Sequence, residues 1–282
     1  MRHLCYNLLG DGELDCFVTP QSVFTGEDQM GTIDRRSQIQ RLINERQQIS
    51  VHEISESFDV SVATARRDLD ALADLGKVER IRGGAQLVQR APPEMPIVQR
   101  GREQAEEKAR IAEATCRLLE DGETIFLGSG TTVMEVAKRL PNGHNLTVIT
   151  NSLLVANVLA ERHDVNLIVL GGSFRRSEYS LYGHLVELAL NEINADRVIF
   201  GIRAISLENG LTNDFLPEVS TDRSILKAGR EVIIVADHTK FSRVSTALVC
   251  PLSWVHRVVT DRQTPPSIIE AMSERGIDVV IA

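Results

Sequence analysis

Between residues 123 and 261, short apolar runs rich in β-branched side chains alternate with longer amphipathic stretches. That rhythm limits the possible folds more than any other feature of the chain. The runs fall at 124–127, 146–150, 166–170, 197–201, 232–237 and 258–261. Strands this continuous in apolar residues must be covered on both faces, as in a parallel sheet flanked by helices. Such sheets bind ligands at the carboxyl ends of their strands. The polar and glycine-rich segments fall there: Gly128-Ser129-Gly130-Thr131-Thr132, Asn151-Ser152, Gly171-Gly172 and Asp237-His238-Thr239-Lys240-Phe241. The first joins two permissive glycines to three hydroxyls just before a helix over 133–140. Free N–H groups at a helix start favour an anion.

A different pattern precedes this one. Ser61-Val62-Ala63-Thr64-Ala65-Arg66-Arg67-Asp68-Leu69 reads as the opening of a DNA-reading helix. Ser61 is placed to cap it. Leu69, Leu72 and Leu75 recur at helical spacing and predict one buried face, with Arg66 and Arg67 turned away from it. Gly76 stands where helices often end in a left-handed residue. Upstream, Ile39, Leu42 and Ile43 mark a helix over 35–45, and Ser50 caps another over 51–58 with Ile54 and Phe58 inward. Downstream, 77–82 alternates as a strand does, Gly83-Gly84 turns the chain and 85–88 returns. Three helices and a two-stranded wing predict a winged helix-turn-helix over 32–88. Ser61, Thr64, Arg66 and Arg67 would face a major groove, and Arg80 and Arg82 would reach phosphate or the minor groove.

The net charge of -8 does not exclude nucleic acid, because residues 34–90 hold ten Lys and Arg against nine Asp and Glu. The acids concentrate elsewhere, which suits a separate sensor body. Residues 1–31 show no period and carry Gly10, Gly12, Pro20, Gly26 and Gly31. They predict a disordered extension, with Met30 as the expected native start and N-terminal sequencing as the check. Pro92, Pro93 and Pro96 predict a stiff spacer within a linker over 89–102. A helix over 103–119, with Ala109, Ala112, Cys116 and Leu119 on one side, opens an α/β body over 103–282. Cys5, Cys16, Cys116 and Cys250 are scattered and predict unpaired thiols in a reducing compartment. No run is long enough to span a bilayer, and no basic-then-apolar start marks a leader. The expected location is the cytoplasm, with no membrane partner, no cofactor and no metal.

Arg35-Arg36, the S-V-A-T-A-R-R-D-L run, the L-x-x-L-G step at 72–76 and the R-I-R-G-G-A wing together resemble the N-terminal domain of DeoR-type bacterial repressors of sugar metabolism. Ala65 stands where that family usually has a larger aliphatic residue. Lys108, Ser129–Thr132, Asn151-Ser152, Gly171-Gly172, Gly183, Gly210-Leu211-Thr212, Glu218, Arg223 and 237–241 resemble the same family's sensor domain. Through it they resemble the sugar-phosphate isomerase and CoA-transferase-like fold. The resemblance implies a regulator that binds double-stranded operator DNA and senses a phosphorylated sugar or related small anion. Ser129, Gly130, Thr131, Thr132, Asn151, Ser152, Gly171, Gly172, Arg203, Glu218, Arg223 and Lys240 are its expected effector contacts. Paired recognition helices imply a homo-oligomer, either a dimer or a tetramer built from dimers. The chain departs from the family at Gly128, usually Asp, at Arg203-Ala204 and Ser206, usually small residues and an acid, and at Asp222, commonly Lys. All four departures are expected to border the pocket.

An isomerase is the competing class. It would need a carboxylate base and a polarising cation, roles open to Glu218, Asp237 and Lys240. The acid that such isomerases carry after Gly201 is absent, and a fused DNA-binding module gives ligand binding a purpose without turnover. The expectation is therefore a repressor with no catalytic residues.

Overall fold

A computed structural model describes residues 31–93 and 95–282. The expected extension and the expected start at Met30 lie outside these residues. The first module runs α1 (Thr32–Arg46), β1 (Gln48–Ser50), α2 (Val51–Ser57), α3 (Val62–Asp74), β2 (Val78–Ile81) and β3 (Gly84–Leu87). The wing strands and β1 form an antiparallel sheet in the order β1-β3-β2. Ile39, Ile43, Ile49, Ile54, Leu69 and Leu72 form the core beneath the helices. Ser50 and Glu53 close a capping box on α2, satisfying two helix-start N–H groups reciprocally. On α3, Ser61 Oγ accepts the Thr64 N–H at 3.1 Å, and Gly76 beyond its end takes φ +64.

Leu75 departs from the expected stripe and is 66% exposed. The helix ends at Asp74, so Leu75 belongs to the turn, and Ala65 and Ala73 complete the inward face instead. Asp68, within the same polar run as the arginines, is buried. It accepts from Arg35 Nε at 2.6 Å and Arg36 Nε at 2.8 Å, tying α1 to α3.

The segment read as a spacer is pinned at both ends. Gln89–Arg90 forms β4, and Ile97–Arg100 forms a short helix, α4, whose Ile97 is buried and donates to the Ser177 carbonyl at 2.8 Å. The α/β part follows: α5 (Ala105–Cys116), β5 (Thr124–Leu127), α6 (Thr131–Arg139), β6 (Thr147–Thr150), α7 (Leu153–Leu159), β7 (Asn166–Val169), β8 (Ser173–Arg175), β9 (Ser180–Tyr182) and α8 (His184–Leu190). It continues through β10 (Ala195–Gly201), β11 (Ala204–Ser206), β12 (Gly210–Asn213), α9 (Val219–Lys227), β13 (Gly229–Val235), β14 (Arg243–Val244), β15 (Ala247–Cys250), β16 (Arg257–Thr260), α10 (Pro266–Glu274) and β17 (Asp278–Ile281).

Seven strands form one sheet in the order β17-β16-β13-β10-β5-β6-β7, every pair parallel. Alternate residues of the inner strands enter separate cores. Phe126, Val198, Ile234 and Val258 join one, and Ile125, Leu127, Ile199, Ile233 and Val259 join the other. This is the two-sided burial that the apolar runs demanded, except at the edge strand β7, where Ile168 and Val169 are exposed. The chain walks from β5 through β6 to β7 in one direction. It then returns to β10 on the other side of β5 and walks outward to β17. The neighbours β5 and β10 therefore form a switch point, where loops leave in opposite directions and open a crevice. Beyond the expected strands lie β1, the β4–β14 pair, the β8–β9 hairpin, the small β11-β12-β15 sheet and the edge strand β17. Among the described residues, no helix is long and apolar enough to cross a membrane.

The two parts share an interface. Ile81 of the wing packs against the larger core. Glu79, fully buried, accepts the Leu207 N–H through Oε1 and the Gln86 side chain through Oε2 at 3.1 Å. Gln86 also bonds Ser242, and β4 pairs in parallel with β14.

Candidate functional site

At the switch point lies a cavity with about 730 Å³ of empty space, partly open to solvent. Its floor comes from three adjacent strand ends: Ser129–Thr132 after β5, 200–203 at the end of β10, and 235–240 at the end of β13. Gly130 is the N-cap of α6 at φ +122, and no side chain caps this helix start. The first-turn N–H groups and the dipole are thus presented towards the cavity. Thr131 and Thr132 are buried on the same turn.

The remaining wall is rich in charge of both signs. Lys108 reaches in from α5 and donates to the Arg100 carbonyl at 2.8 Å and to the Glu103 carbonyl. Burial pushes its ammonium below the ordinary lysine value, and the Asp237 carboxylate only partly restores it. Arg175 and Glu178, from the β8–β9 hairpin, pair with Glu218 and Arg100 respectively. Glu218 is 2% exposed and also accepts from Ser180 Oγ at 2.8 Å. Asp222 of α9 accepts from Asn213 Nδ2 at 3.0 Å. Asp237 accepts the Thr239 N–H at 3.0 Å and so shapes the turn that brings Lys240 to the cavity.

Of the expected effector contacts, Ser129, Gly130, Thr131, Thr132, Arg203, Glu218 and Lys240 line this one cavity. Five others do not. Asn151 donates to the Leu181 carbonyl at 2.9 Å, and Ser152 caps α7. Both anchor the hairpin that delivers Arg175 and Glu178. Gly172 packs tightly, since a Cβ there would sit 2.7 Å from Val186. Gly171 lies with it at the end of β7, two strands from the switch point. Arg223 turns to the Val249 and Leu248 carbonyls, each at 2.7 Å. Of the four departures from the family pattern, Arg203 and Asp222 border the cavity. Gly128 is held against Phe200, whose ring lies 2.9 Å from where a Cβ would stand, so a larger residue would have to displace that ring. Ser206 faces away, accepting the Asn209 N–H at 3.1 Å beside the wing. Sequence reasoning missed Arg100, Arg175 and Glu178 because the short helix and the hairpin that carry them show no strong period.

On the first module, Arg66 and Arg67 are exposed and make no ion pair with any described residue. The Ser61 and Thr64 hydroxyls bond each other at 2.9 Å at the start of α3. Arg80 is engaged by the Gly84 carbonyl at 2.6 Å and Asp70 at 3.0 Å. Arg82 lies 3.4 Å from Glu270 of α10.

Residues 35–91 match the model of the DeoR-like helix-turn-helix domain, and residues 103–262 that of the DeoR C-terminal sensor domain. The chain is 34% identical over 245 residues to the transcriptional repressor AccR of Agrobacterium fabrum, covering 86% of this chain and 95% of that one. It is 33% identical over 250 residues to the glycerol-3-phosphate regulon repressor of Escherichia coli K12, covering 89% and 99%. Among solved structures, ribose 5-phosphate isomerase A of Methanocaldococcus jannaschii aligns with a TM-score of 0.37 and 16% identity. That alignment covers 49% of this chain and 55% of the isomerase, about half of each.

Proposed function

Since the chain belongs to the DeoR family of transcriptional regulators, we propose that it represses genes of carbohydrate use, gripping operator DNA through α3 and letting go when a phosphorylated sugar or related anion fills the cavity. The two relatives described above bear the names of repressors, and the chain is a regulator, not an enzyme. The observation that carries the effector half is the uncapped start of α6 facing a cavity that also holds Lys108, Arg203 and Lys240. The DNA half rests on two exposed arginines beside a capped helix start. Reading a two-fold operator calls for at least two copies of α3 spaced by a helical turn of DNA, hence a homo-oligomer.

The effector must bind the DNA-releasing arrangement more tightly than the DNA-holding one, because a ligand shifts an equilibrium only by that difference. Fluorescence anisotropy of the intact chain on its own upstream region tests both halves. Binding should weaken steeply with salt, as phosphate contacts require. Phosphorylated sugars should lower the affinity. Thr131→Val with Thr132→Val should keep operator binding and abolish the response. Retention of the response in that double variant would overturn the loop assignment.

A further inference from the structure

The cations around the cavity are satisfied in different ways. Arg175 pairs with Glu218 and Arg100 with Glu178. Arg203 has no carboxylate partner among the described residues. It is 9% exposed and makes one hydrogen bond, from Nη2 to the Pro92 carbonyl. Its Nε is buried without a hydrogen-bond partner, and no carboxylate of a described residue forms an ion pair with it. A buried guanidinium without a counter-ion is costly unless something arrives to complete it.

Its location says what that something is. Arg203 follows β10, and the anion loop follows β5, on opposite sides of the switch point. The end of β10 packs against that loop two residues before Arg203, where a Cβ on Gly201 would stand 3.2 Å from the Ser129 carbonyl, and both line the one cavity. One cavity therefore holds two places prepared for negative charge, the uncapped start of α6 and the guanidinium of Arg203, which lines it without an ion pair to any described residue. A single phosphate monoester fills only the first. A guanidinium prefers a planar, bidentate acceptor, which a carboxylate supplies.

We propose that Arg203 is a specificity-determining residue of this cavity and that the molecule it selects carries a carboxylate besides its phosphate. The ligand class is then a phosphorylated sugar acid rather than a phosphorylated polyol or neutral sugar. This inference rests on the reading of Ser129–Thr132 as the phosphate site. The same guanidinium holds the Pro92 carbonyl, so the carboxylate would bind one bond away from the segment joining the two halves of the chain.

Titration calorimetry on the intact chain tests it with matched pairs phosphorylated on the terminal carbon. Phosphoglycerate is set against glycerol phosphate and phosphogluconate against sorbitol phosphate, with inorganic phosphate alongside. In at least one pair the acid should bind tenfold or more tightly, a difference of about 1.4 kcal/mol. Arg203→Gln should bring the members of that pair within about twofold of each other. Arg203→Lys, which keeps the charge without the planar fork, should retain part of the preference, and thermal melting checks that each variant is folded. Equal affinities throughout, or a preference that survives Arg203→Gln, overturns the proposal. Inorganic phosphate separates the two levels. Phosphate binding lost in the Thr131→Val, Thr132→Val variant, with no acid preference, sinks this inference alone. No phosphate binding by the intact chain sinks the loop reading and this inference with it.

Discussion

Asp68 shows how much can turn on a residue that looks ordinary in sequence. In an R-R-D run it resembles one more surface charge, yet it is buried and holds Arg35 and Arg36. Burial alone would raise its carboxyl, but the hydrogen bonds and charges of the two arginines outweigh this and hold it below the usual carboxylate range. Asp68→Asn should therefore destabilise the chain by about 1.5–3 kcal/mol, as loss of charge-assisted bonds does, read from the urea midpoint. The sign with pH follows from the depressed value. The stabilisation is present above the unfolded value of about 4 and fades as pH falls through the folded one, so the variant should lose this part of the acid sensitivity. Arg66 and Arg67, by contrast, do what their sequence setting suggested and stay exposed. Replacing whichever reads a guanine edge should cost about 1–3 kcal/mol at one operator position. Replacing a phosphate-contacting one should weaken all sequences alike and flatten the salt slope. Anisotropy on single-base operator variants separates these outcomes.

The strands were legible because each is a compact β-branched run, and their parallel, doubly covered arrangement followed from that continuity. Strand order was not, because nothing in a one-dimensional pattern says that β10 returns to the flank of β5 rather than adding beyond β7. That order decides which strand-end loops meet. It gathers the ends of β5, β10 and β13 and leaves those of β6 and β7 to one side. Asn151 and Ser152 consequently act through the β8–β9 hairpin. Asn151→Ala removes the bond to Leu181 and should cost about 1 kcal/mol. Hydrogen exchange should quicken across 173–182 more than across the sheet. Equal protection of the hairpin in the variant would show that it holds its place without Asn151.

At the scale of the whole molecule, the wing-to-sheet interface is the feature no motif announced. Burial pushes the Glu79 carboxyl up, and hydrogen bonds from Ser206, Gln86, Leu207 and Ser242 only partly pull it back. A carboxyl whose folded value is raised favours the fold below its unfolded value of about 4.3, and that contribution is lost as pH rises through the raised one. Protection of the Leu207 amide should therefore increase as the solution is made mildly acidic, and Glu79→Ala should erase the dependence. Because Ile81, Glu79, Gln86 and β4 all bridge the halves, calorimetry should show one cooperative transition for 32–282. Two separated transitions would contradict that coupling.

Two stretches of backbone, 200–207 and 237–244, each begin at the cavity and end against the DNA-facing half. The first passes from Arg203 to the Leu207 amide held by Glu79, and the second from Lys240 to Ser242 and the β14 edge. A molecule settling in the crevice would therefore touch the very threads by which the reading head is moored, with no long relay of side chains between them. A substitution within either stretch should then alter ligand affinity and the wing contact together.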